Sequence, residues 1–390
     1  MTLHASHEPA WPAAREAAHA AAQPLPPETM PIAEARGRIL ASDVAALTDL
    51  PPRDASAMDG WVVSGTGPWR VVGSLLAGDV LASALAPGEA ATIATGTALP
   101  VGATGVLRRE HGATDEGGSL QGTVAPGQDV RRAGEEARAG DILIRRGLRL
   151  TPAHLGMAAA GGHDTVDTIR RPTARFIVFG DELLRHGPAR DGKVRDSLGP
   201  QVPGWLDLLG VQVIDVQWVP DSLDAHVRAL DGARDVDLVI TSGGTAAGPV
   251  DHVRKALDET GGRLVVDTVA VRPGHPMLLG SWPTSRWLIG LPGNPQAAIA
   301  ALLTLGEPLI AGLGGRPLTA LDTRQVTEPI ASRAGTTRLV LCREAAGRCT
   351  PTEYIGSGML RGLSTADGFA VIPAAGARRG DAVPWVPLPG

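Results

Sequence analysis

Apolar and polar positions change their rhythm several times along the chain. Residues 9–22 are alanine-rich and helix-permissive, and residues 29–45 carry a second helical pattern. From about residue 48, short apolar pieces are separated by glycine and proline, as in Trp61-Val62-Val63, Trp69 to Val72, Ala90 to Ala94 and Gly105 to Arg108. Such pieces predict a small β-rich domain over about 48–140. Gly112 to Gly122 is a polar loop. Thr151 to Gly161 turns helical again, with Thr151 as N-cap and Pro152 at the first helical position.

From Arg175 the pattern becomes strand, helix, strand. Arg175 to Phe179 is a short apolar strand. Val202, Trp205, Leu206 and Leu209 then mark one helix face, closed by Gly210. Val211 to Val216, Val236 to Thr241, Leu264 to Val271 and Trp287 to Gly290 read as further strands. Helices are expected from Leu223 to Leu230, over 251–260, and over 295–311 with Asn294 as cap and Pro295 first. This alternation predicts a parallel, doubly wound, three-layer α/β sheet. Beyond the glycines of Gly312 to Arg316 only strands are predicted: Arg338 to Arg343, Arg348 to Tyr354, Gly368 to Pro373 and Ala382 to Val386. The expected domains are 1–172, a helical part carrying the inserted β domain; 173–313, the α/β domain; and 318–390, a small β domain.

Composition narrows the function classes. A chain of 390 residues with 43% hydrophobic and 20% charged positions is ordinary for a globular protein. Its formal net charge of -5 gives no basic field for nucleic acid. Two cysteines, Cys342 and Cys349, point to a reducing compartment rather than a disulfide scaffold. Residues 1–22 lack the basic start and apolar run of a leader. The most apolar stretch, Ala297 to Leu305, is too short to span a bilayer and ends at Glu307-Pro308. The expectation is a cytoplasmic protein without a membrane partner.

The chemistry gathers at strand ends. Thr241-Ser-Gly-Gly-Thr-Ala-Ala-Gly248 follows an apolar strand and precedes a helix. Its glycines let backbone N–H groups converge on an anion, and the helix adds its positive end. The sequence has no Walker lysine and no Rossmann glycine pattern. Asp251 at the next helix start is either an N-cap or a carboxylate holding Mg²⁺ over a phosphate. Gly180-Asp-Glu182 and Asp221 place more carboxylates at strand ends, either as surface solvation or as part of a metal-phosphate site. Arg272-Pro-Gly-His-Pro276 is a proline-fixed loop with Arg272 and His275 available to an oxyanion. Gly290-Leu-Pro-Gly-Asn-Pro295 reads by itself as a stiff capped turn, and Ser56-Ala-Met-Asp-Gly60 as turn chemistry.

Together with Ala94-Thr-Gly96 and Thr365-Ala-Asp-Gly368, these segments resemble the molybdopterin molybdenumtransferase family, the MoeA and gephyrin E-domain group, from about residue 10 to the end. The resemblance implies an elongated homodimer, an α/β domain of the molybdenum-cofactor biosynthesis type and a C-terminal β-barrel. It implies insertion of molybdenum from molybdate into adenylylated molybdopterin, with release of AMP and assistance from Mg²⁺. In such dimers the first β domain of one subunit closes the α/β cleft of the other. Molybdopterin adenylyltransferase and molybdoenzyme apoproteins are the implied partners. By position, Asp59, Glu182, Asp221 and Asp251 match the family's catalytic residues, with Glu182, Asp221 and Asp251 as the Mg²⁺ ligands. The implied substrate-binding set is Thr95, Ser242, Gly243, Gly244, Gly248, Arg272, His275, Pro292, Asn294 and Pro295.

Several positions depart from the family pattern. Its usual Lys-Pro-Gly-Lys-Pro becomes Arg272 to Pro276 with His275. Phe179 stands where the family usually has Ser or Thr, Leu198 where it has Asn, Thr245-Ala-Ala247 where it has Val-Ser-Val, Ala297 where it often has Ser, and Glu136 where it has Asp. Two further readings follow. One is a diverged paralogue that binds a pterin, a nucleotide or a partner protein without inserting metal. The other is a single-domain adenylyltransferase, against which the segments before Arg175 and after Arg316 count.

Overall fold

The computed structural model describes residues 8–76, 78–79, 84–246 and 252–390. The chain forms two compact units, one of residues 29–168 and one of residues 1–28 with 169–390.

In the unit of residues 29–168, the segment read as a second helix is instead extended. Strands Pro27–Pro31, Ile39–Leu40 and Thr165–Ile169 form a three-stranded sheet, with only a short 3-10 turn at Ile32–Glu34. Helix Pro152–Ala160 starts as expected: the Thr151 side chain accepts the His154 N–H, and the His154 ring returns a bond to the Thr151 N–H. The β-rich part is a six-stranded sheet in the order Gly105–Arg108, Gly60–Val63, Glu89–Ile93, Trp69–Leu75, Ser119–Gln121 and Ala113–Thr114. Alternation puts Val62 and Val106 on one face and Val63, Trp69 and Leu107 on the other, each in its own small core.

The other unit begins with helix α1 (Trp11–Ala21). Its sheet contains β1 (Thr173–Phe179), β2 (Gln212–Val219), β3 (Leu238–Ser242), β4 (Arg263–Asp267), β6 (Leu278–Ser281) and β7 (Trp287–Leu291). The order is β2-β1-β3-β7-β6-β4. The first four are parallel, but β6 and β4 run antiparallel to their neighbours. The sheet is therefore mixed rather than wholly parallel, and β6 adds a strand absent from the sequence-based expectation. The short strand β5 (Val271–Arg272) lies between β4 and β6 in sequence and joins the barrel below.

Alternate residues of β1 feed two cores. Phe176 and Val178 pack with α1 and with α2 (Leu198–Leu208). Ile177 and Phe179 pack with α3 (Leu223–Asp231) and α4 (Val253–Glu259). Each fully buried Leu, Ile or Phe contributes roughly 1.5–3 kcal/mol over leaving it exposed.

Among the described residues one helix, Pro295–Leu313, is long and apolar enough to cross a membrane, and 94% of its apolar window is buried inside the protein. As expected over 295–311, it runs on through Glu307-Pro308, as α5 (Pro295–Ala301), a π turn (Leu302–Gly306) and α6 (Glu307–Leu313). Pro308 has no N–H to give to the preceding turn, and the π turn absorbs the mismatch. Arg15 fills the gap: it donates to Leu303 O at 2.6 Å and pairs with Glu307 at 3.0 Å.

The C-terminal strands are β8 (Thr323–Val326), β9 (Thr337–Ala345), β10 (Arg348–Pro351), β11 (Gly368–Ile372) and β12 (Ala382–Pro387). They close in the ring β9-β10-β8-β12-β11-β9, a five-stranded barrel, with β5 added parallel to β9. Val340 and Cys342 point into the barrel, while Leu339 and Leu341 pack against the α/β core.

Candidate functional site

β3 lies between β1 and β7, so its outgoing loop stands where the strand order reverses, at the carboxyl edge of the sheet. Ser242 ends the strand and is buried. Gly243 and Gly244 follow with φ of +82° and +66°. A methyl group on Gly243 would lie 3.0 Å from Phe179 O, and one on Gly244 would lie 2.9 Å from Val253 Cγ2. Glycine is therefore required twice, by conformation and by space. Gly248 and Asp251, expected to complete this loop, lie outside the described residues, as does Ala247.

The loops after β1 and β2 bring carboxylates to the same edge. Asp181 N–H donates to Asp221 Oδ2 at 3.3 Å. Burial pushes the Asp221 carboxyl above its ordinary range; that N–H opposes the shift, and the charges of Glu182 and Asp181 reinforce it. His226, fully buried, has Nε2 3.6 Å from Asp221 Oδ1 and lies flat on Phe179 with ring centroids 3.5 Å apart. Among the described residues no three His, Cys, Asp or Glu side chains converge as a metal cage. Glu182 and Asp221 are two of the three expected ligands, and the third, Asp251, is not described.

A cavity of about 580 Å³ opens beside this edge, lined by Glu182, Arg195, Ser242, Gly243, Asn294 and Pro295 among others. Asp196 also borders it, but its oxygens serve structure. Oδ1 accepts the N–H groups of Leu198 and Gly199 at the start of α2, and Oδ2 accepts Trp218 Nε1–H at 2.9 Å.

A second cavity of about 380 Å³ is lined by Arg272, His275, Pro292, Asn294, Arg338 and Ser357, with Ala297 also on its wall. The strand pairing of β5 with β9 puts Arg272 directly opposite Arg338. His275 does not stand alone here, for its Nε2 lies 2.9 Å from Glu8 Oε1. Asn294 caps no N–H of α5; its amide instead reaches Ser357 Oγ at 3.4 Å. Gln296, two residues on and buried, donates to Tyr354 O at 2.7 Å and to Met359 O, and so clamps the loop carrying Ser357.

Asp59 and Thr95 lie in the unit of residues 29–168 and are brought together there. Asp59 Oδ1 accepts both the N–H and the hydroxyl of Thr95. These bonds, the backbone one first, hold the Asp59 carboxyl below its ordinary range.

Sequence reasoning missed Arg338, Ser357, Gln296, Glu8 and His226. Only the C-terminal region carries Arg338 and Ser357 to the site and only the segment before α1 carries Glu8, whereas Gln296 directly follows the Asn294-Pro295 turn. His226 had a local signal: a histidine on the apolar stripe of an amphipathic helix next to a strand-end Asp.

Comparison with known proteins agrees along the whole chain. Residues 10–162 match the family described as MoeA N-terminal region (domain I and II). Residues 175–312 match a probable molybdopterin binding domain, and residues 323–388 the MoeA C-terminal region (domain IV). The chain is similar to molybdopterin molybdenumtransferase 2 of Mycobacterium tuberculosis, 32% identical over 89% of this chain and 91% of the relative. It is likewise 32% identical to the molybdopterin molybdenumtransferase of Haemophilus influenzae, over 75% of each chain. The crystal structure of the molybdopterin biosynthesis moea protein from Pyrococcus horikosii superposes with a TM-score of 0.84 at 26% identity, covering 98% of this chain and 100% of that one. With three consecutive family regions and relatives of this identity over most of its length, the chain belongs to the molybdopterin molybdenumtransferase (MoeA) family, transferases of molybdenum cofactor biosynthesis.

Proposed function

We propose that this chain takes adenylylated molybdopterin and molybdate, transfers molybdenum to the dithiolene and releases AMP. The observation that carries the reading is the pair of cavities meeting at Asn294. One has a glycine loop and carboxylates, suited to a phosphorylated pterin. The other has Arg272 facing Arg338, with Ser357 beside them, suited to a tetrahedral dianion. In this reading the amides of Ser242, Gly243 and Gly244 cradle the pterin phosphate, and Pro292 and Pro295 fix the turn that carries Asn294.

The residues fit Mg²⁺. Asp221 is raised by burial and crowded by two other carboxylates, a strain that a divalent cation relieves, and all the donors are oxygens. Glu182 and Asp221 would hold it, with Asp251 as third ligand. When bound, Mg²⁺ offsets the negative charge of the phosphoanhydride and of the departing AMP. The homodimer, the partner adenylyltransferase, the receiving apoproteins and the cytoplasmic location belong to the same reading.

One observation favours a binder that inserts no metal: His275 is already engaged by Glu8. The deciding experiment gives the purified protein adenylylated molybdopterin, Mg²⁺ and molybdate and follows AMP. The expected result is molybdate-dependent AMP release. Retained ligand binding with AMP at background would overturn the enzyme reading.

A further inference from the structure

The segment before α1 is fastened beside the second cavity. Ala270 N–H donates to Pro9 O at 3.1 Å, and Ala10 bridges Ala270 in parallel. Trp11 anchors the next residue through Nε1–H to Thr304 Oγ1 at 2.9 Å. The loop end is fixed as well, since Val269 N–H donates to His275 O at 3.1 Å. These contacts put Glu8 against His275, whose side chain is 30% exposed against 46% for Glu8.

A carboxylate can only accept, so the proton in this contact sits on His275 Nε2. The ring then has no Nε2–H left for anything else. The cavity holds two permanently charged donors, Arg272 and Arg338, and His275 is its third basic side chain. An anion entering this cavity finds that third donor taken by an anionic group of the same chain.

We infer that Glu8 sets the affinity of the oxyanion cavity, as an internal carboxylate that an entering tetrahedral oxyanion displaces from His275. Only hydrogen bonds are exchanged, with no covalent step. The inference rests on the reading of this cavity as the molybdate site. The presence of Glu8 lowers the apparent affinity for an oxyanion that uses His275, because the ring must first be released.

The test measures molybdate affinity as KM in the AMP-release reaction, and as Kd by titration calorimetry so that the result does not depend on turnover. Glu8→Gln should lower both about two- to fivefold, the range for a partly exposed ion pair, with kcat unchanged. Glu16→Gln, on the exposed side of α1, should change neither. In a His275→Ala background Glu8→Gln should have no effect. An unchanged or raised KM in Glu8→Gln would overturn the inference. So would an equal fall in the His275→Ala background, which would mean charge acting at a distance. The reading of the cavity fails separately: if Arg272→Ala and Arg338→Ala leave molybdate affinity unaltered, this is not the molybdate site, whatever Glu8 does.

Discussion

Thr95 holds one oxygen of Asp59 twice, through its backbone N–H at 2.7 Å and its hydroxyl at 2.9 Å. Both residues are exposed, so the carboxylate is aimed while its other oxygen stays open to a ligand. Asp59→Asn should lower kcat about 10- to 100-fold with the melting temperature almost unchanged. Thr95→Val should cost less, because the backbone bond remains. AMP-release kinetics beside a thermal melt check this; full activity in Asp59→Asn would remove the residue from the chemistry.

The two loop glycines should respond differently to alanine. At Gly243 the new methyl meets a backbone carbonyl, which cannot step aside; at Gly244 it meets a valine side chain. Both also pay about 1–2 kcal/mol for a left-handed backbone. Gly243→Ala should therefore show the larger drop in urea midpoint and the larger loss of pterin binding. The reverse order in equilibrium unfolding would mean that the loop relaxes away from Phe179.

Asp237 should make the fold sensitive to acid. Burial alone would raise its carboxyl, but two N–H bonds from Arg170 and the N–H and hydroxyl of Thr173 outweigh that and hold it below the ordinary range. The folded state then binds this proton less readily than the unfolded chain. The resulting stability is fully present above the unfolded value of about pH 4 and disappears as pH falls through the lower folded value. Asp237→Asn should destabilise by about 1–3 kcal/mol near pH 7, and the difference should close below about pH 4. Denaturant melts across that range test it, and a constant difference would contradict the assignment.

The barrel thiols should be silent in the native protein. Cys342 and Cys349 are buried on neighbouring strands, and burial pushes both thiols up. A thiol reagent at about pH 8 should label neither until denaturant opens the barrel. Rapid labelling of the folded chain would show that the β9–β10 edge opens locally.

The sequence carried the alternation of β1 to β3 plainly, because Phe176 to Phe179 and Leu238 to Thr241 are short apolar runs ending in loop residues. It carried the glycine loop for the same reason: a φ above zero at Gly243 and Gly244 leaves a mark in residue type. The segment 29–45 misled, since Ala33 to Arg38 favours a helix locally, while pairing with Thr165–Ile169, more than a hundred residues away, decides in favour of a strand. The antiparallel β6 was hidden because Leu278 to Ser281 is only four residues long. Arg338 and Ser357 carry no local sign of function. They reach the cavity only because β5 borrows an edge of the barrel and Gln296 pins the loop.

Asn294 forms part of the wall of both cavities. A partition serves two rooms, so its shape is constrained from two sides. A side chain that suits one occupant but intrudes on the other cannot be accepted there, and compensation on one side does nothing for the other. Drift should therefore be freer at positions facing a single compartment, such as His275 and Phe179.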